Sequence, residues 1–154
     1  MPAKQLILWR HADAEMPAMG QSDMTRVLTA KGVNQALEMA RWLNKRLPSD
    51  TLVLTSPAER AKETARGLRL EAHELDVLSP DARYPTILTY LNQSLADSVM
   101  LVGHQPWIGQ LLAHLLGFPE GELSVKKGAV WWLRLSSEGT HYKVHAVQTP
   151  KMLG

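Results

Sequence analysis

Leu6-Ile7-Leu8-Trp9-Arg10-His11-Ala12 is the stretch on which the fold is decided. Its apolar run, with a β-branched and an aromatic member, reads as a buried strand. The run stops abruptly at an arginine and a histidine, which have no use in a core. They have one at the carboxyl end of a strand in an open α/β sheet, where such sheets form their ligand crevice. Arg10 and His11 are therefore expected on the floor of an anion site completed by later parts of the chain.

Working outward, residues 13 to 28 show no usable periodicity and carry Pro17, Gly20, Asp23 and Arg26, which predicts a long loop. Thr29 offers an N-cap. Val33, Ala36, Leu37, Ala40, Leu43 and Leu47 then recur at helical spacing and predict a helix ended before Pro48. Thr51-Leu52-Val53-Leu54-Thr55 predicts a second strand, and a helix is expected from Pro57 to Leu70, with Ala58, Ala61, Ala65 and Leu68 as its apolar stripe. A short strand over Leu75 to Leu78, a loop over Pro80 to Pro85 and a short helix around Ile87, Leu88 and Leu91 follow. Val99-Met100-Leu101-Val102 predicts another strand, ending in Gly103-His104-Gln105-Pro106. Ile108, Leu111, Leu112 and Leu115 mark a further helix, closed near Gly117. The runs 129 to 135 and 142 to 147, joined through Ser136-Ser137-Glu138-Gly139, predict a hairpin.

This alternation predicts an α/β fold: a three-layer α/β/α sandwich with a mostly parallel central sheet and an antiparallel edge from the C-terminal hairpin. At 154 residues, 45% hydrophobic and 21% charged, the chain is expected to form one domain over residues 1–154. A formal charge of +2 and the lack of any Lys/Arg run argue against a nucleic-acid partner. No cysteine is present, which excludes disulfides, thiolate metal sites and cysteine-based phosphatase chemistry. No apolar run is long enough for a membrane span, and Met1-Pro2-Ala3-Lys4, leading into the first strand, lacks a signal-peptide layout, so a cytoplasmic protein without a membrane partner is expected.

Three predicted strands end in polar turns: Arg10-His11, Ser56-Pro57 and Gly103-His104. In a parallel sheet these ends share one edge, which would gather Arg10, His11, Arg60 and His104, with Arg26 on the nearby loop. The group is rich in guanidinium and imidazole and poor in carboxylate. Arginine forks match phosphate oxygens, so the ligand expected is a doubly charged phosphoryl group. Histidine can act as a nucleophile through a covalent intermediate. His11 attacking phosphorus while Arg10, Arg60 and His104 hold the oxygens would need no metal and no cofactor, because the arginines supply the positive charge. His73, His114, His141 and His145 form no metal-ligand pattern and are expected in a polar loop, beside a helix face and on the open face of the hairpin. Trp131 and Trp132 are expected on opposite faces of their strand, one in the core and one nearer the surface.

Arg10-His11-Ala12 resembles the Arg-His-Gly signature of the histidine phosphatase (phosphoglycerate-mutase-like) superfamily. Arg26-Val27-Leu28-Thr29-Ala30-Lys31-Gly32 is similar to its Arg-x-Leu-Thr-x-x-Gly segment, Ser56-Pro57-Ala58-Glu59-Arg60-Ala61-Lys62-Glu63-Thr64-Ala65 to its Ser-Pro-x-x-Arg-Ala-x-x-Thr-Ala block, and Gly103-His104-Gln105-Pro106 to its Gly-His-x-Pro turn. The short chain, with no large insertion after Leu78, resembles the SixA-type phosphohistidine phosphatases. The resemblance implies a phosphoglycerate-mutase-like fold, a phosphohistidine intermediate on His11, and a phosphate pocket of Arg10, Arg60 and His104 with Arg26 beside it. It also implies a phosphorylated protein substrate such as a histidine phosphotransfer domain. A small phosphoester, or a phosphate-binding module without turnover, are the alternatives. Ala12 stands where the family has Gly and would place a methyl group beside the nucleophile. No general acid is marked; Asp13, Glu15 and Asp81 are candidates by position.

Overall fold

The computed structural model describes residues 2–118 and 121–154; Met1, at the head of the segment expected to lead into the first strand, lies outside them. In chain order the elements are β1 (Gln5–Arg10), α1 (Ala30–Asn44), β2 (Leu52–Thr55), α2 (Glu59–Ala65), β3 (Ala72–Glu74), α3 (Tyr84–Gln93), β4 (Ser98–Gly103), α4 (Trp107–Leu115), β5 (Val130–Leu135), β6 (Tyr142–Gln148) and α5 (Pro150–Leu153). The strands form one six-stranded sheet in the order β3-β2-β4-β1-β5-β6. β1, β2, β3 and β4 run parallel, whereas β5 pairs antiparallel with β1, and β6 antiparallel with β5.

The apolar runs follow from this layering. A strand covered on both faces has no solvent side, so its sequence does not alternate apolar with polar. In β1, Leu6 and Leu8 join Leu54, Leu101 and Leu133 under α3 and α4, packing on Ile87, Ile108 and Leu112. Ile7 and Trp9 face the other way, with Val53, Met100 and Val102, onto Met39 and Leu43 of α1 and Ala61 and Ala65 of α2. Trp132 joins that second layer, whereas Trp131, half-buried, packs against the first. The two tryptophans thus do face opposite ways, as their adjacency in a strand requires.

Several boundaries differ from the expected ones. α1 is capped by the Thr29 side chain, which accepts from the Gly32 N–H, but its buried face is Gly32, Ala36, Met39, Ala40 and Leu43. Val33 and Leu37 lie a step round the helix and are exposed. Gly32 is required by contact: a Cβ there would collide with the Asp13 carbonyl oxygen. α2 is shorter than predicted at both ends: the Ser56 hydroxyl accepts from the Ala58 N–H (3.1 Å) while Ala58 is extended, so helix begins only at Glu59, and it ends at Ala65. Leu75 to Leu78 is not a strand. Asp76–Leu78 is a 3-10 turn, and β3 precedes it as an edge strand whose three residues, His73 included, are all exposed. The loop over residues 13 to 28 contains a 3-10 turn at Asp23–Thr25, capped by Ser22. It folds back on itself through an Ala14–Leu28 bridge and is tied to α2 by the Glu63 carboxylate, which accepts from the Leu28 N–H (3.1 Å). α5 was not expected. It is a single turn whose cap, Thr149, accepts from the Met152 N–H.

Candidate active site

Register places the site. Arg10 lies opposite Gly103, and Thr55 opposite Val102, so β1, β2 and β4 end on one line. The chain then ties these ends together: the His11 N–H donates to the Gly103 carbonyl (2.9 Å) and the Ser56 N–H to the Val102 carbonyl (3.0 Å). His11, Ser56, Arg60 and His104 are all buried. The His11 and His104 rings stand 5.1 Å apart, centroid to centroid.

His11 Nδ1 lies 2.8 Å from the Ala12 carbonyl. A carbonyl only accepts, so Nδ1 carries the proton and Nε2 keeps its lone pair. Burial lowers the His11 pKa to about 4; the Ala12 carbonyl pulls it up and the charges of Arg60, Arg10 and Arg26 push it down again. His104 is lowered further, to about 2, by burial and then by His11 and Arg60. Both rings are neutral at physiological pH, the state a nucleophilic imidazole needs.

The second peptide of the site is fixed from α2. The Thr64 hydroxyl donates to the Arg60 carbonyl (2.7 Å) and accepts from the Ala12 N–H (3.0 Å). The Ala12 methyl clusters with Leu28 and Ala36. It therefore occupies apolar packing.

Around His11 stand buried polar nitrogens that no described protein group engages. Arg10 Nε, Arg60 Nε and His104 Nδ1 are buried without a hydrogen-bond partner among the described residues. Orphaned buried polar atoms of this kind are costly unless a ligand satisfies them, and two guanidinium donors and an imidazole nitrogen beside a neutral histidine fit an oxyanion. Their arginines are held by other atoms: Arg10 Nη1 donates to the Val125 carbonyl (2.8 Å), and Arg60 Nη1 and Nη2 donate to the Asp23 carbonyl (2.8 Å) and carboxylate (3.0 Å). The opposite ring nitrogen of His104 lies 2.7 Å from the Ser56 hydroxyl.

Arg26 lies one step out. Its Nε donates to the Glu15 carbonyl (2.7 Å) and its Nη1 to the Asp23 carboxylate (3.0 Å), so it meets Arg60 through a shared acid. Burial raises the Asp23 pKa, but the hydrogen bonds from Arg26 and Arg60 outweigh it and hold the carboxyl below its usual value. Of the proposed acids, Asp13 accepts from the Thr29 hydroxyl (2.7 Å) and from Lys127 (3.2 Å). The Thr29 bond, against some burial, and then Lys127 keep it ionised. Glu15 and Asp81 are exposed. None of the three is set up as a buried acid.

Asp23, Ser56 and Thr64 were not singled out from the sequence. Ser56 and Thr64 lie inside the Ser-Pro-x-x-Arg block, but a hydroxyl's partner is not written in local pattern. Among the described residues, no group of three or more His, Asp or Glu side chains is placed to hold a metal ion, and no helix is long and apolar enough to cross a membrane.

Comparison with known proteins gives the family and the fold. Residues 6–83 match the family model of the histidine phosphatase superfamily (branch 1). The phosphohistidine phosphatase SixA homolog of Haemophilus influenzae is 30% identical over 130 residues, covering 73% of this chain and 77% of that protein. The structure of the protein histidine phosphatase SixA complexed with tungstate superposes with a TM-score of 0.80 at 29% identity, covering 97% of this chain and 99% of that one. A phosphoserine phosphatase of Entamoeba histolytica shares the fold, with a TM-score of 0.73 at 17% identity over 97% of this chain and 99% of that one. With Arg10, His11, Ser56 and Arg60 inside the matched region and the SixA relatives aligned over most of the chain, the chain belongs to the histidine phosphatase superfamily, in its SixA-type branch.

Proposed function

We propose that this enzyme removes the phosphoryl group from phosphohistidine on a protein, through a phosphohistidine intermediate on His11 and without a metal ion, as one domain spanning residues 1–154. The observation that carries the reading is His11 itself: neutral, with Nδ1 committed to the Ala12 carbonyl, Nε2 free, and buried unpartnered donors around it. The relative bound to tungstate, a tetrahedral oxyanion, supports a phosphoryl group as the ligand. The lack of cysteine and of any described helix fit to cross a membrane suits work in the cytoplasm.

Two displacements at phosphorus make up the reaction. In the first, His11 Nε2 attacks in line and the P–N bond to the substrate imidazole breaks. The substrate ring, protonated on its other nitrogen, leaves as neutral imidazole, while phospho-His11 takes on the imidazolium charge. In the second, water attacks phosphorus and the P–N bond to His11 breaks. Water's hydroxyl goes to phosphorus and its proton to a phosphate oxygen, which releases dihydrogen phosphate and neutral His11. A leaving imidazole needs no strong acid, which fits a site whose nearby carboxyls are held ionised or lie exposed. The arginine donors stabilise the equatorial oxygens, as preorganised dipoles and charges do in such transfers. With the Ser56 hydroxyl donating to Nε2 of His104, Nδ1 carries a hydrogen for one of those oxygens.

The test compares substrates, with chelator present throughout. A phosphorylated histidine phosphotransfer domain, phosphoserine and sugar phosphates are each incubated with the enzyme, and phosphate release is followed. Preferential loss from the phosphotransfer domain is expected. Preference for a small phosphoester would overturn the protein substrate, and phosphate binding without any turnover would make the chain a binding module.

The depressed histidines also set a pH dependence. Activity on an acid-stable phosphoester should hold from neutral pH to about pH 5 and fall as His11 protonates near its pKa of about 4. Stability moves in the same direction. Above pH 6.5 the imidazoles are neutral in the folded and unfolded chain alike. Below 6.5 the unfolded chain takes up protons that the buried rings refuse until about 4 for His11 and about 2 for His104, so stability erodes across that interval. Thermal melts at a series of pH values, beside a pH profile of kcat/KM, check both.

A further inference from the structure

A concavity opens against Arg10. This cleft, of about 400 Å³, is lined by Lys31 from the first turn of α1, Lys126 and Lys127 from the segment before β5, Lys151 from α5, Arg10 and Asp13. Asp13 is the one carboxylate there, and Lys127 and Thr29 already engage it. The cleft thus carries an excess of four positive charges in a chain whose formal net charge is +2. Lys31, Lys126 and Lys151 are exposed and form no ion pair among the described residues.

The lysines do not sit on a wandering loop. The Gly128 N–H donates to the Arg10 and His11 carbonyls (3.1 and 3.0 Å), and the Gly128 carbonyl accepts from the Trp9 indole (3.0 Å). Gly128 takes a φ of +77°, and a Cβ there would press on the Pro150 ring. The segment that presents Lys126 and Lys127 is therefore the one that braces β1 behind His11. It holds a positive field at a fixed place beside the site.

We propose that this cleft docks acidic side chains of the protein that carries the phosphohistidine; the inference rests on the protein-substrate reading above. A site for one small anion would resemble the one at His11, with buried, fixed donors. Among the described residues, the buried side-chain nitrogens without partners are Arg10 Nε, Arg60 Nε, His104 Nδ1 and Trp107 Nε1; Arg10 lines both the cleft and the site at His11, and none of the four comes from the lysine-bearing segments. Exposed lysines spread over three segments suit a broad acidic surface instead. Complementary charge of this kind acts on encounter and orientation more than on chemistry.

The experiment compares wild type with the triple variant Lys31→Glu, Lys126→Glu, Lys151→Glu, after circular dichroism has shown both to be folded. The substrates are a phosphorylated histidine phosphotransfer domain of net negative charge and p-nitrophenyl phosphate. The variant is expected to raise KM for the phosphoprotein by about ten-fold or more, with kcat and p-nitrophenyl phosphate hydrolysis within about two-fold of wild type. Wild-type kcat/KM for the phosphoprotein should fall with added salt, and the variant's should fall less. An unchanged KM for the phosphoprotein would overturn the docking surface, as would an equal loss on both substrates. Failure of wild type to act on the phosphoprotein at all would be a different result, removing the protein-substrate reading and the docking surface with it.

Discussion

Replacing His11 by alanine should reduce turnover by at least about 10⁴-fold, the scale seen when a covalent nucleophile is removed. The fold should survive. Among the described residues the His11 side chain makes one hydrogen bond, Nδ1 to the carbonyl of the neighbouring Ala12, and the backbone that positions it is held elsewhere, by Gly103, Gly128 and Thr64. Loss of the ring opens space but also removes a buried group that resists protonation, so the acid side of the stability profile should flatten. Single-turnover assays with phosphoprotein, with acid-quench detection of protein-bound phosphate, check the first point. Wild type should show transient label on the enzyme, and His11→Ala none. Full activity in His11→Ala would end the covalent mechanism.

Arg60→Ala should cost about 10²- to 10³-fold in kcat/KM, as loss of one preorganised oxyanion donor does. The reason lies in how Arg60 is held. Its two terminal nitrogens are spent on Asp23, leaving the buried Nε without a partner beside the histidines. Removing the guanidinium removes that donor and also releases Asp23, whose carboxylate is then left with Arg26 alone. The His11 pKa should rise, because the Arg60 charge is one of the forces depressing it. The acid limb of the pH profile should therefore move upward in Arg60→Ala, while circular dichroism stays native. Lysine at this position should restore little, since its point charge cannot bind Asp23 through two nitrogens and face the pocket with a third.

Sequence and structure agree best where burial is two-sided. Leu6 to Trp9, Leu52 to Leu54 and Val99 to Val102 are apolar throughout because helices cover both faces, and so each strand and its polar end could be read directly. The gathering of Arg10, His11, Arg60 and His104 follows from the parallel order of three such strands. What escaped depends on partners distant in sequence or on very short elements. β3 is an exposed edge with no apolar alternation, and α5 is one turn long. Asp23 sits in a stretch without periodicity, and its significance arises only when the loop folds onto Arg60, 37 residues away. Asp13, Glu15 and Asp81 were proposed by proximity in sequence, and proximity carries no information about burial or hydrogen bonding.

The place of β1 in the sheet has a consequence for how the enzyme comes into being. β1 comes first in chain order among the strands of its sheet, yet its neighbours are β4 and β5, whose residues begin at Ser98 and Val130. Four consecutive fully buried apolar residues must therefore wait for more than half of the chain before they are paired. Contacts of such long sequence separation slow folding and leave hydrophobic strands open to association with other chains. His11 receives its brace from Gly128 only after that. A nascent or C-terminally truncated chain would carry the Arg-His motif and remain without a phosphatase site, so the activity switches on with completion of the sheet.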